Sequence, residues 1–222
     1  RFRRLKKIFF IDIMYKTKWW HLTEENTILD ENNNRINTHK VEKLEQELAG
    51  KFIEENDRVL ELGARYGSVS VVINKKLKNK DKHLAVEPDC RVWKALENNR
   101  QINDCHFNIL KGFISKQKLG LEGLEEHQGY GTTACPDPNS DILNYSLEEF
   151  KDYDFNVLVA DIEGGMEMFL EENEEFMKNL RLIMFEADRP DKCDYIKIKE
   201  FLRKNNYKQL LNGFQNVFIK KE

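Results

Sequence analysis

The chain has 222 residues, 36 Lys and Arg against 39 Asp and Glu, and a net charge of -3. That is enough chain for one well-buried core, and the interleaved signs lack the basic stripe of a nucleic-acid binder. No apolar run approaches the length needed to cross a bilayer, no signal peptide of the usual kind is present, and four scattered cysteines argue against a disulfide framework or zinc knot. A reducing, cytoplasmic compartment fits.

Residues 1 to 38 read as an N-terminal extension or linker and 39 to 222 as one domain. The extension runs from a basic segment, Arg1 to Lys7, through apolar residues to Trp19-Trp20-His21, then through a polar, Asn-rich loop. Because the chain opens on Arg1, the expectation is a domain cut from a longer polypeptide. Val41, Leu44, Leu48 and Phe52 recur at helical spacing and lead into the apolar run Val59 to Leu62. Gly63 and Gly67 follow, and then Val69, Val72, Ile73 and Leu77 at helical period, which predicts a buried strand, a tight turn and a helix. The lysines at 75, 76, 78, 80 and 82 fall at the end of that helix, where cations complement its dipole.

A second strand, Leu84-Ala85-Val86, ends in Glu87-Pro88-Asp89, roughly 20 residues after the glycines, where a doubly wound sheet carries the carboxylate that binds a ribose diol. Trp93, Leu96 and Ile102 predict a helix, and 107 to 110 a third strand ending at Gly112-Phe113. Ligands of such sheets bind outside the carboxyl ends of the strands, so Gly112 and Phe113 are expected to flank an adenine, with core packing the alternative for Phe113. Segment 115 to 145, rich in Gly and Pro, reads as irregular: either a lid or a surface loop. Ser146 and Glu149 form a capping-box pattern.

Strand 156 to 160 then ends in Asp161-Ile162-Glu163-Gly164, and strand 180 to 185 ends in Glu186-Ala187-Asp188. A helix from Tyr195 to Lys204 and a hairpin turning at Asn212-Gly213 close the chain. The expected fold class is α/β, a Rossmann-like, mostly parallel seven-stranded sheet with a C-terminal antiparallel hairpin and helices on both faces. Asp161, Glu163, Glu186 and Asp188 sit at or just beyond two strand ends that this order makes neighbours. Asp161 is the first choice for general base or metal ligand with Glu186 as its partner and Glu163 beside them; the alternative has Glu163 capping the next helix and Asp188 ordering the turn before Pro190. The oxygen-only set Asp161, Glu186 and Asp188 suits Mg²⁺ or Mn²⁺. His127, near the lid, is an alternative base.

The series Val59-Leu60-Glu61-Leu62-Gly63-Ala64-Arg65-Tyr66-Gly67, Ala85-Val86-Glu87-Pro88-Asp89, Val159-Ala160-Asp161-Ile162-Glu163-Gly164 and Met184-Phe185-Glu186-Ala187, with Leu96, Asn98-Asn99 and Asn103, resembles the FkbM family of S-adenosylmethionine-dependent O-methyltransferases. The resemblance runs over about residues 40 to 221. It departs at Glu61, where the family has Asp, and at Arg65-Tyr66, where it has Asn-Ile. It implies S-adenosylmethionine as cofactor and a carbohydrate hydroxyl as acceptor, with a fused glycosyltransferase domain as an expected partner. It also implies that Glu61 orients the methionine end, that Gly63, Ala64 and Gly67 form the cofactor turn, that Glu87 and Pro88 bind the ribose, and that Asp161 faces the cofactor. Gly129-Tyr130-Gly131-Thr132-Thr133 resembles the family's lid element. The other reading of these residues is a non-catalytic glycan- or partner-binding module. An NAD oxidoreductase fits less well, because the turn lacks the middle glycine that admits a pyrophosphate.

Overall fold

The computed structural model describes residues 26–123 and 131–221. His127, Gly129, Tyr130 and the segment holding Trp19 and Trp20 lie outside the described residues.

Seven strands form one sheet: β1 (Val59–Leu62), β2 (His83–Glu87), β3 (Asn108–Lys111), β8 (Val157–Ala160), β9 (Leu182–Glu186), β10 (Tyr207–Leu211) and β11 (Gln215–Lys220). Their order across the sheet is β10-β11-β9-β8-β1-β2-β3, with every pairing parallel except the two made by β11. The expected sheet and its closing hairpin are therefore present. Chain order reverses at β1, between β8 and β2, which is where such a sheet opens a crevice at its carboxyl edge.

Strand alternation decides the two faces. Leu60, Leu62, Leu158, Ala160, Ile183 and Phe185 point to one side, against α4 (Met166–Glu172), α5 (Glu174–Asn179) and α6 (Tyr195–Lys204). Val59, Val157, Leu182 and Met184 point to the other, against α1 (Lys43–Phe52) and α2 (Ser68–Lys76). Ala85 and Phe107 on that same side meet α3 (Trp93–Ile102). The strands are buried on both sides, which is why they read as unbroken apolar runs. Phe185 stacks between Tyr195 and Phe218 at 6.1 and 6.0 Å, tying β9 to α6 and β11.

Residues 26–38 pack on α3 through side-chain amides. Asn99 donates to the carbonyls of Leu29 (2.8 Å) and Tyr66 (2.9 Å) and accepts from the Leu29 N–H, while Asn103 does the same with Thr27. These asparagines satisfy backbone groups of Thr27, Leu29 and Tyr66.

Segment 115 to 145 is more regular than its composition suggested. β5 (Leu119–Glu122) and β6 (Thr133–Pro136) pair antiparallel, and β4 (Phe113–Ile114) pairs with β7 (Asn144–Tyr145). The capping box at Ser146 forms, but it opens a kinked 3₁₀ segment, Leu147–Tyr153. Lys80 caps the end of α2, its ammonium donating to the carbonyls of Asn74 (2.6 Å) and Lys75 (3.0 Å).

Candidate active site

A cleft of about 980 Å³, open to solvent, lies at the carboxyl ends of β1, β2 and β8 under the β5–β6 hairpin. Gly63 lines it at the centre, with Glu87 on the β2 side and Asp161 on the β8 side. Its apolar wall includes Phe113, Leu119, Leu121 and Phe169, so Phe113 serves both core and cleft. A smaller cavity of about 470 Å³ adjoins it, and Glu42, Gly63 and Asp161 line both.

Glu87 is held by two backbone donors, Arg65 N–H at 2.7 Å and Asp89 N–H at 2.8 Å. Each carboxylate oxygen thus keeps acceptor capacity toward the cleft. Burial pushes its pKa up to about 7, against the pull of those two hydrogen bonds. Pro88 lines the same wall.

The predicted strand-end carboxylates do converge. Asp161, Glu186 and Asp188 offer oxygens within 4.8 Å of one another. Asp188 accepts a hydrogen bond from Tyr195 Oη at 2.8 Å. Among the described residues, the buried atoms Asp161 Oδ1 and Asp188 Oδ2 have no hydrogen-bond partner. Burial first, and then the surrounding carboxylates, hold Asp161 well above the usual range. Glu163 is pushed up to about 8, by burial and then by the Asp188 carboxyl beside it. Burial and the Asp161 charge raise Glu186 as well. So many carboxylates cannot all be ionised without added positive charge, which comes as protons or as a cation. An oxygen-only set with two orphaned buried oxygens fits a hard divalent ion.

Several assignments change with the geometry. Glu61 lines the smaller cavity and not the larger cleft: it alternates to the α1–α3 side with Val59, and its carboxylate meets His83 Nε2 at 2.9 Å, both side chains buried. The Gly63 and Ala64 N–H groups both donate to the Val86 carbonyl, at 3.0 and 3.1 Å, and so are spent within the turn. Gly63 is needed for a different reason: φ is +82° and an added Cβ would lie 1.8 Å from the Asp161 carbonyl oxygen. Gly67 makes room for α3 instead of a ligand, since a Cβ there would meet Leu96 Cδ1 at 2.7 Å. Gly112 likewise admits the Leu143 carbonyl, 2.4 Å from its notional Cβ, and does not line the cleft. Glu186 and Asp188 line neither cavity and reach them through Asp161. Glu163 is not a helix cap: it accepts the Gly131 N–H at 3.1 Å, joining the backbone just before β6 to the acidic cluster.

Sequence reasoning missed Glu42 and Glu45, which α1 brings to the same cluster. Glu42 accepts from Ser68 Oγ. Gln215 Nε2 bridges Glu45 and Glu186, the latter at 2.6 Å. No motif marks these glutamates, because their position depends on how α1 crosses the sheet edge.

No family model matches the sequence, and no curated protein matches it. Among solved structures, it is similar to a precorrin-6y C5,15-methyltransferase from Geobacter metallireducens, at 16% identity and a TM-score of 0.51 over 81% of this chain and 88% of that one. It is also similar to an rRNA methylase from Streptococcus thermophilus, at 9% identity and a TM-score of 0.48 over 81% of this chain and 95% of that one. The first of these likenesses, together with the strand order, shows that the chain has the Rossmann-like methyltransferase fold.

Proposed function

We propose that the chain is an S-adenosylmethionine-dependent O-methyltransferase acting on a hydroxyl of a carbohydrate acceptor. The observation that carries this reading is that Glu87 and Asp161 open into one cleft on either side of the Gly63 turn. One is a carboxylate fixed by two backbone N–H groups and the other carries a buried oxygen with no partner among the described residues. The carbohydrate acceptor follows from the resemblance to the FkbM family and from the need of weakly acidic sugar hydroxyls for a base or a metal.

When bound, S-adenosylmethionine supplies an electrophilic methyl group on a sulfonium centre. Glu87 accepts hydrogen bonds from the ribose hydroxyls, and the apolar wall around Phe113 takes the adenine. Asp161 accepts the proton of the acceptor hydroxyl at Oδ1, the oxygen with no partner among the described residues. Glu163 accepts the Gly131 N–H and stands beside Asp188, so it couples the proposed lid to the protonation state of the cluster. Asp161, Glu186 and Asp188 would hold Mg²⁺ or Mn²⁺, whose charge would acidify the acceptor hydroxyl.

The test is transfer of a labelled methyl group from S-adenosylmethionine to a panel of sugars and glycosides, with Mn²⁺ or with EDTA. Transfer to a glycoside, abolished in Asp161→Ala with cofactor binding retained, is the expected result. Cofactor binding without transfer to any sugar would remove the carbohydrate reading. Full activity of Asp161→Ala would remove the base assignment.

A further inference from the structure

The β5–β6 hairpin stands apart from the seven-stranded sheet, and a two-stranded ribbon keeps its place only through its tethers. Directly opposed residues of a ribbon share a face, so Leu121 and Ala134 line the cleft while the next pair, Glu122 and Thr133, turns away from it. At its near end the hairpin is fixed to β7, the Leu119 N–H donating to Asn144 Oδ1 at 3.1 Å. Its far end is held by a distant part of the chain. Lys192 Nζ donates to Thr133 Oγ1 at 2.8 Å and also to Glu122 Oε1, and Thr133 Oγ1 donates to that same Glu122 oxygen at 3.1 Å. One ammonium thus closes a ring over Glu122 and Thr133, the last described pair of the hairpin.

Lys192 belongs to the loop that follows Asp188, and Gly164 gives it a seat. Gly164 has φ +89°, and an added Cβ would lie 3.0 Å from Lys192 Cβ and 3.1 Å from Arg189 Cβ. Glu163, its neighbour in the chain, accepts the Gly131 N–H at 3.1 Å. These two tethers therefore end on turn 161–164, the turn that begins with Asp161. The ion pair of Lys192 and Glu122 is too exposed, at 33% and 51% of the two side chains, to weigh much in global stability, although Thr133 inside the ring is only 2% exposed. What the ring can fix is where the wall of the cleft stands relative to Asp161.

We propose that Lys192 is a positioning residue for methyl transfer: it clasps the Glu122–Thr133 end of the hairpin to the turn that carries Asp161, so that an acceptor resting on Leu121 and Ala134 presents its hydroxyl to that carboxylate. The role rests on the reading of Asp161 as the base of an O-methyltransferase. A displacement of about 1 Å caused by a substitution away from the chemistry can cost about a hundredfold in rate, so the smaller drift of a hairpin still tethered at Glu163 and at β7 should cost about tenfold.

The test uses Lys192→Met, which keeps the stem and removes the ammonium, and the exchanged pair Lys192→Glu with Glu122→Lys, since the Thr133 hydroxyl serves as donor or acceptor. Hydrogen exchange of the β5 and β6 amides reads the clasp without turnover. In Lys192→Met these amides should exchange at least about threefold faster, the scale of a half-exposed ion pair, with the seven-stranded sheet unchanged, and the exchanged pair should return to the wild-type rate. Labelled methyl transfer to a glycoside reads the positioning. There kcat should fall about tenfold in Lys192→Met and recover to within about threefold in Lys192→Arg and in the exchanged pair, while the affinity for S-adenosylhomocysteine stays within about threefold throughout. Unaltered exchange in Lys192→Met would overturn the clasp. Faster exchange with unaltered kcat, or kcat and cofactor affinity falling together, would overturn the positioning role. A wild-type chain that transfers to no sugar would defeat the carbohydrate reading and the positioning role with it, and the exchange experiment would still decide the clasp.

Discussion

Asp161→Asn should stabilise the ligand-free domain at alkaline pH while removing turnover. Two unit charges 4.8 Å apart repel by about 3 kcal/mol at an effective dielectric constant of about 20, and Asp161 has two carboxylate neighbours within that distance. Shared protons already relieve part of this, so the substitution should recover about 1–3 kcal/mol. The new amide can donate to Glu186 or Asp188, so it leaves no buried donor unpaired. The sign of the pH dependence follows from where the protons sit. Asp161, Glu163 and Glu186 have folded pKa values raised above their unfolded values, so the native state holds more protons between the two. Their stabilising protonation is complete below about pH 4 and is lost as pH rises through the folded values, about 8 for Glu163. The assay is urea unfolding of both proteins in EDTA at about pH 5 and about pH 8.5, values that bracket the raised Glu163. The difference between the proteins cancels unrelated titrations. A variant more stable at the higher pH, with the gain shrinking at the lower, is expected. A variant equally destabilised at both would refute the crowded-charge account.

Other outcomes follow from the same geometry. Gly63→Ala forces a Cβ to within 1.8 Å of the Asp161 carbonyl oxygen at φ +82° and should cost more than about 3 kcal/mol, read as lost soluble expression or a large fall in melting temperature. Mn²⁺ at about 100 times its dissociation constant should add about 2.7 kcal/mol to the wild-type chain at alkaline pH, and Asp188→Asn should remove most of that gain. Because a carboxylate accepts from a diol better than a carboxylic acid does, affinity for S-adenosylhomocysteine should fall as pH drops through about 7, the Glu87 value; calorimetry across that range checks it.

Much of the frame was legible because burial on both faces writes itself as unbroken apolar runs, as in Val59–Leu62 and Val157–Ala160. The strand-end carboxylates Glu87, Asp161 and Glu186 were legible too, since an acid directly after such a run has few places to go. The pairing of Glu61 with His83 was not legible, for a local reason. Strand alternation sends Glu61 to the side of Val59, where His83 from the next strand meets it, and that partner is set by register, which the sequence of one strand does not carry. Gly67 and Gly112 looked like ligand glycines, yet Leu96 and the Leu143 carbonyl fill the space beside them. Glu42, Glu45 and Gln215 come from elements far apart in the chain, and only the packing of α1 over the sheet edge brings them together.

The most direct test of the central claim is titration of S-adenosylhomocysteine into the wild-type chain and into Glu87→Ala. The account predicts micromolar binding by the first and a loss of at least about tenfold in the second, the scale of losing hydrogen bonds to a charged acceptor. Absence of binding by the wild-type chain, or equal binding by Glu87→Ala, would contradict it.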